Sequence, residues 1–169
     1  DLDSYLKNQN FNRKDTQVSW RGGLVFHRTR SQSYYFASGT SFNPSAEALA
    51  LAQNNVDTPP EENISFEVGA KIGLFNDTIN LQGSLFRIDK TNARTTDPET
   101  LLLVLEGKQR VQGFELGLTG SPLPRWNLFT GFTYLDSKAL ESMDIQNGVP
   151  VQGKELQNVP RYSATLWTT

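Results

Sequence analysis

The chain contains no cysteine and one histidine, His27, in 169 residues. The missing thiols exclude disulfides, thiolate metal sites and cysteine nucleophiles. A lone histidine leaves histidine-rich zinc sites short of ligands and a Ser-His-Asp triad with no alternative base. Charge of one sign is lacking too: 16 basic and 18 acidic residues leave a net charge of −2, without the basic surplus that marks a nucleic-acid binder. No apolar run approaches the roughly 18 residues that a spanning helix needs. The densest aliphatic stretch, 101–105, is far shorter, and a mean hydropathy of −0.47 does not suit a helical membrane protein.

Aromatic residues and glycines are plentiful, and they fall in alternating patterns. Ile64, Phe66, Val68, Ala70, Ile72 and Leu74 are separated by Ser65, Glu67, Gly69, Lys71 and Gly73. This period of two predicts a strand with one apolar and one polar face. Asn76-Asp77 suits a tight turn. Ile79, Leu81, Gly83 and Leu85 then resume the pattern against Asn80, Gln82 and Ser84. Further on, Phe114, Leu116 and Leu118 alternate with Gly113, Glu115, Gly117 and Thr119.

Seven strands are predicted, over about 16–27, 33–42, 64–75, 78–89, 109–120 and 126–137, with a last one from about Arg161. In the first, Val18, Trp20, Leu24 and Phe26 share a parity. The second carries aromatics on both parities at Tyr34, Tyr35 and Phe36, which leaves its faces unassigned. In the fourth, Leu85 and Phe86 are apolar neighbours and Arg87 falls on the apolar parity. Either a bulge lies there or Arg87 has reached an interfacial zone. Residues 1–15 read as a polar loop. Residues 46–52 are rich in alanine and leucine and allow a short helical turn, with Ser45 as its cap.

The connections alternate in length. Short ones cover 28–32, Asn76-Asp77 and 121–125, and long ones cover 43–63, 90–108 and 138–160. In an up-and-down sheet all short turns then lie at one end and all long loops at the other. Long structureless loops are uncommon in compact soluble domains. Transmembrane β-barrels have this alternation, with short periplasmic turns, long extracellular loops and strands of roughly 10 residues. Trp126 and Phe75 beside short turns, and Tyr134 near a long loop, suit aromatic girdles. Arg21, Glu67, Lys71 and Glu115 oppose the apolar parity. They would be costly against a dry core and are tolerated in a wet or plugged lumen. A soluble β-sandwich remains the contrasting reading, with shorter and more even connections.

Several stretches resemble the barrel of TonB-dependent siderophore receptors, most closely the catecholate type. They include Tyr35-Phe36-Ala37-Ser38-Gly39-Thr40-Ser41-Phe42-Asn43-Pro44-Ser45, Pro60-Glu61-Glu62 leading into Phe66-Glu67-Val68-Gly69-Ala70-Lys71, and Phe86-Arg87-Ile88-Asp89-Lys90-Thr91-Asn92-Ala93-Arg94. Val111-Gln112-Gly113-Phe114-Glu115 is the most specific, and Gln157-Asn158-Val159-Pro160-Arg161-Tyr162 leads into a later strand. The resemblance implies an all-β, antiparallel up-and-down transmembrane barrel in the bacterial outer membrane. The full barrel would have about 22 strands around a plugged lumen. Residues 1–169 would supply about seven of them, with the plug domain and closing strands absent. The chain starts at Asp1 without an initiator Met or signal peptide and stops at Thr169 within an apparent strand, so it reads as a piece of a longer polypeptide.

The same resemblance implies TonB-dependent uptake of ferric siderophores and no enzyme activity. The expected partners are a ferric siderophore, outer-membrane lipid, and TonB through the absent N-terminal plug region. No nucleic acid is expected. Iron would arrive already chelated, so no cofactor or protein metal site is expected. A porin-like barrel without energy coupling is the alternative within the same architecture. Arg94, Arg110 and Arg161, at the loop-proximal ends of inferred strands, are the candidate contacts for an anionic chelate, with anchoring of lipopolysaccharide as a competing role. Arg21, Glu67, Lys71 and Glu115 are the candidate lumen-facing polar residues, where a network touching the plug competes with ordinary wall polarity. Glu61-Glu62 are adjacent, so a strand points them to opposite faces, which argues against paired catalytic carboxylates. His27 reads as a polar residue at a strand end. Asn63-Ile64-Ser65 and Asn76-Asp77-Thr78 match a glycosylation pattern that has no meaning in a bacterial barrel.

Overall fold

The computed structural model describes residues 16–43, 60–99 and 103–169. The predicted loop at 1–15 and helical turn at 46–52 lie outside the described residues. Among the described residues there are nine strands: β1 (Arg21–Thr29), β2 (Gln32–Asn43), β3 (Glu61–Leu74), β4 (Ile79–Thr96), β5 (Leu103–Leu123), β6 (Trp126–Glu141), β7 (Ile145–Gln146), β8 (Val149–Pro150) and β9 (Tyr162–Thr168). Seven of them form one antiparallel sheet in the order β1-β2-β3-β4-β5-β6-β9, while β7 and β8 make a separate small hairpin. Three of the six neighbour pairings, β1–β2, β3–β4 and β5–β6, are hairpins closed by short turns, and the longer connections also bring each strand back antiparallel beside the one before it in the sheet.

All three short turns sit at one end of the sheet. The Gly73 N–H donates to the Ser31 carbonyl (2.6 Å) and the Ser121 N–H to the Thr78 carbonyl (3.0 Å), tying neighbouring turns together. In the Asn76-Asp77 turn the left-handed backbone extends over three residues, Phe75, Asn76 and Asp77, with φ of 52, 58 and 63°. Asn and Asp tolerate this region better than other non-glycine residues. The Thr78 hydroxyl closes the turn by donating to the Phe75 carbonyl at 2.7 Å.

Register decides the faces. Val68 stands opposite Phe36 on one side and Leu85 on the other. Leu85 faces Phe114 and Phe114 faces Tyr134. Phe66, Val68, Ile72, Leu81, Leu116, Leu118, Leu128 and Phe132 therefore share a face, and Glu67, Lys71, Glu115 and Thr119 share the other, as the alternation predicts. In β2, Tyr34 and Phe36 take the apolar side and Tyr35 and Ala37 the polar side. The apolar face is open: Leu24, Leu85 and Leu166 are 77, 61 and 72% exposed. Among the described residues the buried apolar side chains are only Ala93 and Ala139. A single sheet with an uncovered apolar face has no core of its own; lipid is the cover that suits it.

The strands overrun the predicted loops. The 90–108 loop shrinks to a connection between Thr96 and Leu103, because β4 and β5 go on pairing through shifts at Lys90/Ala93 and Ala93/Thr95. Backbone groups satisfy each other there instead of water. Of the two explanations for the slip at Leu85-Phe86, the bulge is absent. Pairing runs unbroken from Ile79 to Lys90 against β5, so Arg87 does lie on the apolar parity, one row beyond Leu85.

Candidate functional site

The polar face gathers its charges around two adjoining depressions. Arg21, Glu67, Ser84 and Glu115 border one. Tyr35, Glu67, Lys71, Gln82 and Glu115 border the other. All four residues predicted for this face therefore lie close together on β1, β3 and β5. The Tyr35 hydroxyl donates to Glu67 Oε1 at 2.5 Å, which holds the carboxylate beside the sheet. Gly69 leaves room for the Tyr35 ring, since a Cβ there would overlap the ring atoms.

At the long-loop end, Glu61 is buried with 6% of its surface exposed. Lys90 Nζ lies 3.1 Å from its Oε2 and Arg94 Nε 3.8 Å from its Oε1. Two cations on one buried carboxylate compensate its desolvation. Asn92, at φ 54°, turns the strand so that its amide donates to the Pro60 carbonyl at 3.0 Å. Arg94 thus belongs to an ion-paired cluster with Lys90 and Glu61, beside a cavity of about 590 Å3 walled by Gln109, Ala139, Glu141, Asp144 and Gln157. The cavity lies under the segment that joins β6 to β9. That segment is anchored: Thr96 N–H donates to Asp144 Oδ1 (2.7 Å), Met143 N–H to Thr95 Oγ1 (2.7 Å) and Leu156 N–H to Ser137 Oγ (3.2 Å). It buries Ser137 and Ala139, which share the parity of the polar face. From the sequence Glu61 is weighed only together with Glu62, as paired carboxylates, and neither Lys90 nor this fold-back is picked out, because no local pattern links residues so far apart in the chain.

The other two predicted arginines lie elsewhere. Arg161 precedes β9 and forms an ion pair with Glu155 at the surface. Arg110 pairs across the sheet with Asp89 and with Lys138, on the parity of Phe114 and Leu116. It therefore stands on the apolar side, away from the polar depressions. The signal was present in the sequence, since Arg110 is an even number of residues from Phe114. Arg110 Nε lies 2.6 Å from Asp89 Oδ1, and Arg87 Nε lies 2.7 Å from Asp89 Oδ2. Asp89 sits two rows beyond Leu85, the last apolar residue on this face of β4, with Ile64 opposite it on β3. Burial pushes its carboxyl up, but the hydrogen bonds from Arg110 and Arg87 outweigh that and hold it below the usual carboxylate range.

Comparison with known proteins agrees with this architecture. The family model described as TonB dependent receptor-like, beta-barrel matches residues 1–169. A probable TonB-dependent siderophore receptor, PiuA of Acinetobacter baumannii, is 35% identical over 166 residues, covering 90% of this chain and 22% of that receptor. The crystal structure of PiuA superposes with a TM-score of 0.76 at 32% identity, over 89% of this chain and 23% of that one. The ferric-catecholate import receptor Fiu from E. coli K12 also gives 0.76, at 25% identity, over 89% of this chain and 22% of its own. The chain spans about a fifth of the length of the relatives it matches.

Proposed function

Because this chain belongs to the TonB-dependent receptor β-barrel family, and is thereby a wall segment of a bacterial outer-membrane barrel, we propose that the protein carrying it imports ferric siderophores with energy delivered by TonB. The observation that carries this reading is the match over the whole chain to a family whose relatives include receptors named for siderophores. The two-faced sheet supports it. Its apolar face suits lipid, and its polar face, with Arg21, Glu67, Lys71 and Glu115, lines the lumen and meets a plug. TonB engages a plug region encoded outside these residues. Iron enters already chelated, so the wall supplies charge and shape and no metal ligands. The relatives are transport receptors, and no bond-making chemistry is assigned to this wall.

The ligand-contact role belongs best to Arg94. It lies at the long-loop end, beside the cavity under the folded-back segment. Arg161, on the polar-face parity at the surface, is a second contact at the rim. Arg110 is left out because its side of the sheet is the wrong one. The test is iron uptake in cells whose only siderophore receptor is the full-length protein, with catecholate and hydroxamate chelates supplied separately. Uptake of at least one chelate is expected, abolished by loss of TonB or collapse of the proton gradient. Uptake indifferent to both would reject the energised receptor in favour of a porin-like barrel.

A further inference from the structure

The segment between β6 and β9 lies on the polar face at the long-loop end and is held at both of its own ends. At its start, Thr95 Oγ1 accepts the Met143 N–H (2.7 Å) and lies 3.2 Å from Ser142 Oγ, while Asp144 Oδ1 accepts the Thr96 N–H (2.7 Å). At its end, the Ala139 N–H donates to the Lys154 carbonyl (2.9 Å) and the Gly153 N–H returns a bond to the Ala139 carbonyl (2.7 Å). Ser137 Oγ accepts the Leu156 N–H (3.2 Å). The first clasp is on β4 and the second on β6, so the segment bridges β5. Little slack is left between them. β7 and β8 pair through Asn147 and Gly148, both left-handed at φ 52 and 76°, and the Val151 N–H donates to the Asp144 carbonyl (2.9 Å) at the base of this hairpin.

The bed beneath is made of small residues. Ala93 pairs with Gly107 across β4 and β5, and a Cβ at Gly107 would stand 2.8 Å from the Ala93 carbonyl oxygen. Ala93, Thr95, Ser137 and Ala139 are 1, 2, 3 and 2% exposed. No other side chain among the described residues is as deeply covered. Segments that act as lids come from the weakly held part of a fold, where backbone bonds are exposed and buried contacts few. This segment has the opposite character, since it covers the only buried apolar side chains among the described residues. Lifting it would break both clasps together and open the small-residue bed to water. A wall already in place also spares a ligand the cost of ordering it.

We infer that Thr95 and Ser137 are positioning residues. Their hydroxyls fasten 142–160 against the inner wall before a ligand arrives, which makes this segment a fixed side of the chelate's cavity and not a lid that closes over it. Arg94 lines the same cavity, so the clasps set the space in which it meets the ligand. This rests on the siderophore-import reading above.

The test uses the full-length receptor, with whichever ferric tris-catecholate or tris-hydroxamate chelate supports uptake as the probe. Amide hydrogen exchange at 142–144 and 153–156 should be slow in the free receptor and change by less than about twofold when the chelate binds. Exchange that is fast in the free receptor and slows about tenfold or more with chelate would show a lid and overturn the inference. Thr95→Val keeps the shape and removes the hydroxyl. It should speed exchange at Met143 about tenfold and weaken chelate binding severalfold, with the maximal uptake rate unchanged. Thr95→Ser should restore both. Unchanged exchange would deny the clasp, and faster exchange with unchanged affinity would deny the positioning role. A disulfide supplies the functional arm, since these residues contain no native cysteine. The oxidised Ser137→Cys/Leu156→Cys receptor, its bond confirmed by mass, should import within about twofold of the wild-type rate. Arrest that reductant relieves would overturn the fixed wall. A receptor that takes up neither chelate rejects the import reading, whereas fast exchange in the free state overturns the fastening by itself.

Discussion

Leu116→Arg should be among the most damaging single substitutions on the apolar face, and its position says why. Leu116 pairs with Gly83 and Phe132. It stands four residues from Gly120, in the row nearest the short turns, and four from Gln112, in the row of Arg87 and Asp136. At a rise of about 3.3 Å per residue and a strand tilt of roughly 45°, it lies about 10 Å in depth from either boundary. That is the middle of an apolar band about 25 Å tall. An arginine there has the longest distance to snorkel and should cost about 2–4 kcal/mol. Val68, one row closer to Arg87, should cost less when changed to arginine. Thr119→Arg points to the polar face and should cost under about 1 kcal/mol, because an aqueous lumen solvates it. Leu116→Ala separates lost packing from the charge, since the leucine also covers Gly83, 3.1 Å from where a Cβ would sit. The assay is reversible denaturant unfolding of the full-length receptor in lipid vesicles, with midpoints compared at constant slope. If Thr119→Arg proves as damaging as Leu116→Arg, the facing of the sheet is inverted.

Gly113→Ala should be worse than Gly69→Ala in the same unfolding assay. Its Cβ meets the Tyr134 backbone carbonyl, whereas the Gly69 Cβ meets the Tyr35 ring, which is able to turn away at the expense of its bond to Glu67. Equal midpoints would deny the close β5–β6 approach. Asn76→Ile should destabilise by about 1–2 kcal/mol, because a branched residue resists the left-handed backbone that Asn76 adopts, while Asn76→Gly should be near neutral; refolding yield into vesicles is a convenient first screen. Arg94→Gln should slow ferric-siderophore capture severalfold at low salt, with the gap closing as salt screens the attraction. A salt-independent defect would make Arg94 a structural partner of Glu61 only.

The seven strands of the sheet, the faces of all but β2 and the end at which each connection lies were legible in the sequence. These are local properties: a period of two is visible within six residues, and Asn76-Asp77 announces its own turn. Even the side occupied by Arg110 was legible, by counting from Phe114. Where periodicity failed, pairing decided. Aromatics on both parities hid the facing of β2 until its register with β3 put Phe36 opposite Val68. The shift between Lys90 and Ala93 breaks any count that runs from Leu85 to Arg94, so its approach to Glu61 required the folded chain. The extension of β4 and β5 through an apparent loop, and the packing of the 142–160 segment against Thr95, Ser137 and Ala139, likewise depend on partners from distant parts of the chain. Register is a non-local quantity, and a slip of one residue moves every side chain to the opposite face. Tertiary structure alone therefore decided which charges meet: Arg21, Glu67 and Glu115 around one depression, and Arg87 and Arg110 on one carboxylate.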